Sequence, residues 1–204
     1  MKDMLVWYIA RSSGMVAWAL LAASVLWGLS LTTKILNGRP RPSWLLDLHR
    51  YLGGLATIFV VVHVAGILAD TFVHFGLASV LVPFASTWRP AAVAWGIVGL
   101  YLLTAVEVTS LVRARLPKRA WRAIHFASFP LFVVATIHAL MAGTDTRTWA
   151  FELLAALTVS LVAWLTGVRI SQGARSPSNP RAAFTARTQP AHGQFLGQNA
   201  NMDP

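Results

Sequence analysis

Residues 48–66 read LHRYLGGLATIFVVVHVAG, an apolar run with a histidine near each end, His49 and His63. The aliphatic stretch between them suits lipid, where polar side chains are expensive. Two imidazoles fourteen residues apart therefore need a reason. Ionisable side chains inside spanning segments face the bundle interior, where they pair with one another or mark a functional site.

The run is one of five. A helix that crosses the hydrocarbon core needs roughly 20 mostly apolar residues. Such blocks lie at about 5–31, 46–69, 91–112, 121–142 and 148–169 of the 204-residue chain. Hydrophobic residues make up 56% of it and charged residues 12%, a balance that suits a polytopic membrane protein better than a soluble domain. The first block is too long for a cleaved signal peptide and lacks a small-residue cleavage site, so it reads as a permanent helix. The expected fold is all-α. Residues 1–170 form an integral membrane bundle of about five transmembrane helices, and 171–204, rich in Ser, Pro, Asn, Gln and Ala, form a disordered cytoplasmic tail. Residues 70–90 (DTFVHFGLASVLVPFASTWRP) have an apolar centre too short to span, interrupted by Pro83 and Pro90. This predicts a short re-entrant or interfacial helix at about 72–86.

The net charge of +10 is distributed unevenly. Only Lys2, Arg11, Arg89 and Arg147 fall on one side of the expected membrane, and the other thirteen basic residues fall on the opposite side. That asymmetry predicts a multi-pass cell-membrane protein with its N-terminus outside and its C-terminus in the cytoplasm. Five spans also demand opposite termini. The basic excess is topological, so no nucleic-acid partner is expected. The absence of cysteine excludes disulfides, iron–sulfur clusters and thiolate-ligated metals, leaving nitrogen or oxygen ligands for any metal centre. No dinucleotide fingerprint or Walker motif occurs, and the tail is too short for a flavin or nicotinamide domain.

The fourth block repeats the pattern of the second. In WRAIHFASFPLFVVATIHALMAG (121–143), His125 stands near the start and His138 thirteen residues on. Both even-numbered blocks run from inside to outside. His49 and His125 are thus expected at one depth near the cytoplasmic face, and His63 and His138 at another near the outer face. At 1.5 Å per residue the levels lie roughly 20 Å apart. Two matched imidazole pairs fit bis-histidine ligation of two b-type haems stacked across the membrane, since imidazole is a good axial ligand for haem iron. Gly53, Gly54 and Gly66 follow their histidines closely and would leave space for a porphyrin plate. Four independent hydrogen-bonding histidines are the plainer alternative. One detail resists: thirteen residues at about 100° each leave His125 and His138 roughly 140° apart on an ideal helix. Pro130 lies between them, so the helix should deviate there.

These features resemble the ferric reductase-like transmembrane domain family. It includes the membrane halves of NADPH oxidases and ferric reductases, and the haem subunit of the bacterial methionine sulfoxide reductase system. The paired histidines over about 5–142 carry the resemblance, with ARSSGMVAW (10–18), LVPFASTWRP (81–90), WRAIHF (121–126) and HALMAGTD (138–145) similar to small bacterial members. The resemblance implies that His49 and His125 ligate an inner haem iron, and His63 and His138 an outer one. Electrons would pass from a cytoplasmic donor to an outer acceptor such as ferric iron, a flavoprotein or oxygen. The chain would then be an oxidoreductase component whose donor is a separate flavoprotein reductase, carrying any flavin, or a quinol. Two other readings stay open. One is a quinol-linked cytochrome b anchor for a soluble oxidoreductase; the other is a non-redox scaffold or transporter component.

Haem propionates need cations. Arg50, Arg119 and Arg122 stand near the inner pair, where positive-inside topology also explains them. Arg11 lies in an apolar helix on the unfavoured side, so an outer propionate or the headgroups would be its partner. Arg147 is a second candidate there. His74 would help bind an external acceptor or metal or be a plain surface histidine, Glu107 would pair with Arg50 or Arg113 or snorkel, and Trp18 and Trp95 would touch haem edges or simply pack.

Overall fold

The computed structural model describes residues 2–33, 42–71, 73, 75–143 and 148–175, and all regular structure among them is helical. The helices are α1 (Lys2–Thr33), α2 (Pro42–Ala69), α3 (Leu77–Leu81), α4 (Pro90–Leu111), α5 (Lys118–His125), α6 (Ser128–Ala142) and α7 (Trp149–Arg175). A 3-10 turn, Arg113–Arg115, joins α4 to α5. Five stretches are long and apolar enough to cross a membrane: Met4–Thr33, Ser43–Ala69, Pro90–Leu111, Lys118–Ala142 and Trp149–Gln172. They match the five apolar blocks of the sequence. The last helix continues to Arg175, past residue 170 where the bundle was expected to end; residues 176–204 lie outside the described part.

Two pairings organise the bundle. Helix α1 packs along α2, and α4 along α6, with α1 also against α6. Trp18, Ala22, Val25 and Leu29 of α1 meet Phe132 of α6 and Phe151, Ala155, Val162 and Leu165 of α7 in one buried cluster. Trp18 anchors it, donating from its indole N–H to Thr136 Oγ1 at 3.0 Å and lying 5.1 Å from the Phe151 ring. A polar tip so deep requires a partner of this kind. The opposite face of α7 exposes Leu153, Leu157, Leu161 and Trp164, as expected of a surface bathed in lipid chains.

The segment between α2 and α4 holds the expected short helix, reduced to the five residues of α3. Tyr101 of α4 donates to the Leu81 carbonyl, tying α3 down. Arg89 adopts a left-handed φ of 40° immediately before Pro90, and its guanidinium donates to the Met141 carbonyl at 2.9 Å. The loop is thereby fixed to the end of α6.

The fourth span is broken, and the break has its cause in Pro130. Without an N–H, that residue leaves the Phe126 carbonyl without its normal helical donor. The chain responds with two tighter bonds, Ala127 N–H to Ile124 O at 2.9 Å and Phe129 N–H to Phe126 O at 3.2 Å. Helix α5 ends at His125 and α6 begins at Ser128. A residue in 3-10 geometry turns about 20° further than one in an α-helix. The tightening therefore rotates His125 and His138 in the direction that closes their angular gap.

Candidate functional site

The sequence spacing places imidazoles in pairs, and the fold brings those pairs together. The His49 and His125 ring centroids are 5.9 Å apart with planes at 84°, and those of His63 and His138 are 6.3 Å apart at 76°. Each pair joins α2 to the broken fourth span. The chain therefore has two imidazole pairs at two levels, as the helix directions required.

Hydrogen bonds decide which ring nitrogen is free. Three of the four Nδ1 atoms face a backbone carbonyl on the neighbouring helix: His63 on Ala10 O at 2.6 Å, His49 on Ser24 O at 2.9 Å, and His138 on Ala92 O at 2.8 Å. A carbonyl only accepts, so each of these Nδ1 atoms carries the proton. Their Nε2 atoms are left as lone-pair donors. A metal-bound histidine typically donates its other N–H in this way, which fixes its tautomer and orientation.

The separations suit a metal between the rings. An imidazole nitrogen bonds such an ion at about 2 Å, which sets two opposed ring centres at roughly 6 Å. Among the described residues no group of three or more His, Cys, Asp or Glu side chains is placed to hold a metal ion. Two imidazoles alone suit a metal that brings its own equatorial nitrogens, which is the chemistry of haem.

Space for flat rings comes from glycines on the facing helices. A Cβ on Gly14 would lie 2.8 Å from His63 Nδ1, one on Gly28 3.2 Å from His49 Cε1, and one on Gly96 2.7 Å from His138 Cε1. These three were not singled out in the sequence, although Gly14 and Gly28 repeat the fourteen-residue interval of His49 and His63. Of the glycines that were singled out, two face other protein groups. Gly66 lets α2 approach Ala10, whose Cα would be 3.1 Å from an added Cβ, and a Cβ on Gly53 would lie 3.0 Å from Glu107 Oε1. Gly54 has nothing within 4 Å.

A mainly apolar cavity of 290 Å³ opens beside His63 and His138, with Gly14, Gly96, Trp18 and Arg11 among its walls. Arg11 lines the same cavity as His63 and His138, with its guanidinium 3.9 Å above the Trp7 ring. Among the described residues the charged groups on this apolar slot are Arg11 and Asp70, and the Arg11 guanidinium is the one suited to a haem propionate.

The surroundings of the other pair differ from expectation. Arg50 forms its ion pair with Asp47 at 3.6 Å, on an exposed surface, and Glu107 makes none among the described residues. Arg119 and Arg122 are exposed on α5, whereas Trp121, Ile124 and His125 are half-buried along its inner face. Trp121 stacks on His125 with centroids 5.0 Å apart, and the Arg113 guanidinium lies 5.1 Å above Trp121. Trp18 belongs both to the packed core and to the cavity wall, while Trp95 is 39% exposed. His74 and Arg147 lie outside the described residues.

A model of the family described as "Ferric reductase like transmembrane component" matches residues 13–136, well over half of the chain. The match includes His49, His63 and His125 and ends two residues before His138. Searches of curated proteins and of solved structures returned no match.

Proposed function

We propose, since the chain belongs to the ferric reductase-like transmembrane component family, that it carries electrons across the membrane on two b-type haems. The observation that carries this reading is the pair of facing imidazoles at each of two levels, 5.9 and 6.3 Å between ring centres. His49 and His125 would hold one haem, and His63 and His138 the other. Haem supplies reversible one-electron chemistry at potentials set by its axial ligands and surroundings.

The protein's part is to hold, orient and insulate. The carbonyls of Ala10, Ser24 and Ala92 fix three imidazoles as Nδ1–H tautomers and raise their basicity toward a metal. Gly14, Gly28 and Gly96 admit the rings against the helix backbones. Trp18, Leu131 and Phe151 keep the cavity beside His63 and His138 apolar, and Arg11 offers a cation for a propionate there. Arg50, Arg119 and Arg122 are exposed on the basic side, at the level of the other pair. By the charge asymmetry that side is cytoplasmic, so electrons enter near His49 and His125 and leave near His63 and His138. The donor in this reading is a separate cytoplasmic flavoprotein reductase, and the acceptor lies on the outer side.

A quinol-linked membrane anchor shares the same haem geometry and differs only in its donor. Sealed vesicles test the common core. With ferricyanide trapped inside and dithionite added outside, vesicles bearing the chain should reduce ferricyanide, and His63→Ala should stop it. Equal reduction in empty vesicles, or an undiminished rate in His63→Ala, would show that the chain is no electron conduit.

A further inference from the structure

The four imidazoles are not held alike. Three share one arrangement, in which the ring lies over a glycine and its Nδ1 meets the carbonyl four residues before that glycine. The sets are His63 with Gly14 and Ala10 O, His49 with Gly28 and Ser24 O, and His138 with Gly96 and Ala92 O. The spacing has a physical basis. In an α-helix the carbonyl at i−4 already accepts the N–H of residue i. A second donor reaches that oxygen only by coming close to the backbone at i, where a side chain would stand in its way.

His125 breaks the pattern. Fourteen residues along α4 from Gly96, one interval of the histidine ladder, the residue is Ser110 rather than glycine. Ser110 Oγ and His125 Nδ1 are both buried, and among the described residues neither has a hydrogen-bond partner. The carbonyl at the corresponding position, Val106 O, receives the Thr109 hydroxyl at 3.2 Å. His125 is instead braced by its stack on Trp121.

We infer that Ser110 is a positioning residue: its Cβ holds the His125 ring away from the α4 backbone, so that the His49–His125 site has one carbonyl-tethered ligand and the His63–His138 site has two. A tethered Nδ1–H makes its imidazole a stronger donor, and stronger donation favours ferric over ferrous iron. Ser110 therefore raises the reduction potential of the haem at His49–His125 above the value a fourth glycine would set. The inference rests on the bis-imidazole haem reading.

Spectroelectrochemical titration of the full chain tests it, with the two components assigned from His63→Ala, which removes one of them. Ser110→Gly should lower the midpoint of the His49–His125 component by about tenfold in ferric preference, close to 59 mV for one electron. The other component should not move. Ser110→Ala keeps the Cβ and should titrate like the wild type. Gly28→Ala, whose Cβ presses on His49 at 3.2 Å, should loosen the remaining tether and raise the same component. An unmoved Ser110→Gly, an equal shift of both components, or Ser110→Ala shifting as far as Ser110→Gly would overturn the inference and leave the haem reading intact. So would Gly28→Ala with an unmoved or lowered midpoint. A wild-type protein without a b-type band would overturn both.

Discussion

At Gly96 a single methyl group would sit 2.7 Å from the His138 ring, closer than real contacts allow. The ring is held there by Ala92 O, so it has no direction in which to yield without losing that bond. Gly96→Ala should therefore displace His138 and empty one haem site. Purified Gly96→Ala is expected to show half the wild-type b-type absorbance, with the component at His49 and His125 retained. Full absorbance in a stable protein would mean that the close approach at Gly96 is dispensable. The histidines were legible in the sequence because two lie on each of two spans at nearly the same spacing. Their supports were not, because Gly14, Gly28 and Gly96 lie on α1 and α4, and which residues face an imidazole depends on how separate helices are set against one another. The same dependence explains Gly66, which follows His63 by three positions yet serves the contact of α2 with Ala10. Glu107 likewise faces Gly53 and, among the described residues, forms no ion pair with an arginine, since Arg50 turns outward to Asp47.

Among the elements, the broken fourth span shows most clearly how a local rule serves the site. The mismatch of thirteen residues against the helical period was visible from the sequence, as was Pro130 as its remedy. The tightened turn at Phe126–Ala127 is the form that remedy takes. Helix α6 is anchored by Leu131, Phe132 and Thr136, which are buried. Helix α5 has no fully buried residue and is the part free to turn. Pro130→Ala restores the missing N–H and favours one continuous helix, which would swing His125 away from His49. The expected outcome is loss of the His49–His125 haem with its partner site retained, read as a halved haem-to-protein ratio. Two haems with unchanged midpoints would mean that packing, and not Pro130, sets the break. The segment around α3 was legible only coarsely: its apolar centre and two prolines marked a non-spanning stretch, but its anchoring depends on Tyr101 of α4 donating to the Leu81 carbonyl and on Arg89 donating to the Met141 carbonyl of α6.

For the molecule as a whole, five spans and a lopsided distribution of basic residues fix the expected orientation. A chain without cysteine is a clean background for testing it. Leu77→Cys on α3, where the leucine is 67% exposed, should react with a membrane-impermeant maleimide in intact cells. Arg119→Cys on the exposed face of α5 should react only after permeabilisation. The reverse pattern would place the His49–His125 level outside and reverse the direction of electron flow. The central claim lies deeper than orientation: four imidazoles in two facing pairs hold two haems. The most direct measurement is the haem content of the purified full chain, by pyridine haemochromogen against protein concentration, with His63→Ala and His125→Ala alongside. Two haem b per chain in the wild type and one in each variant is the result expected. No haem in the wild type, or two retained in both variants, would contradict the account.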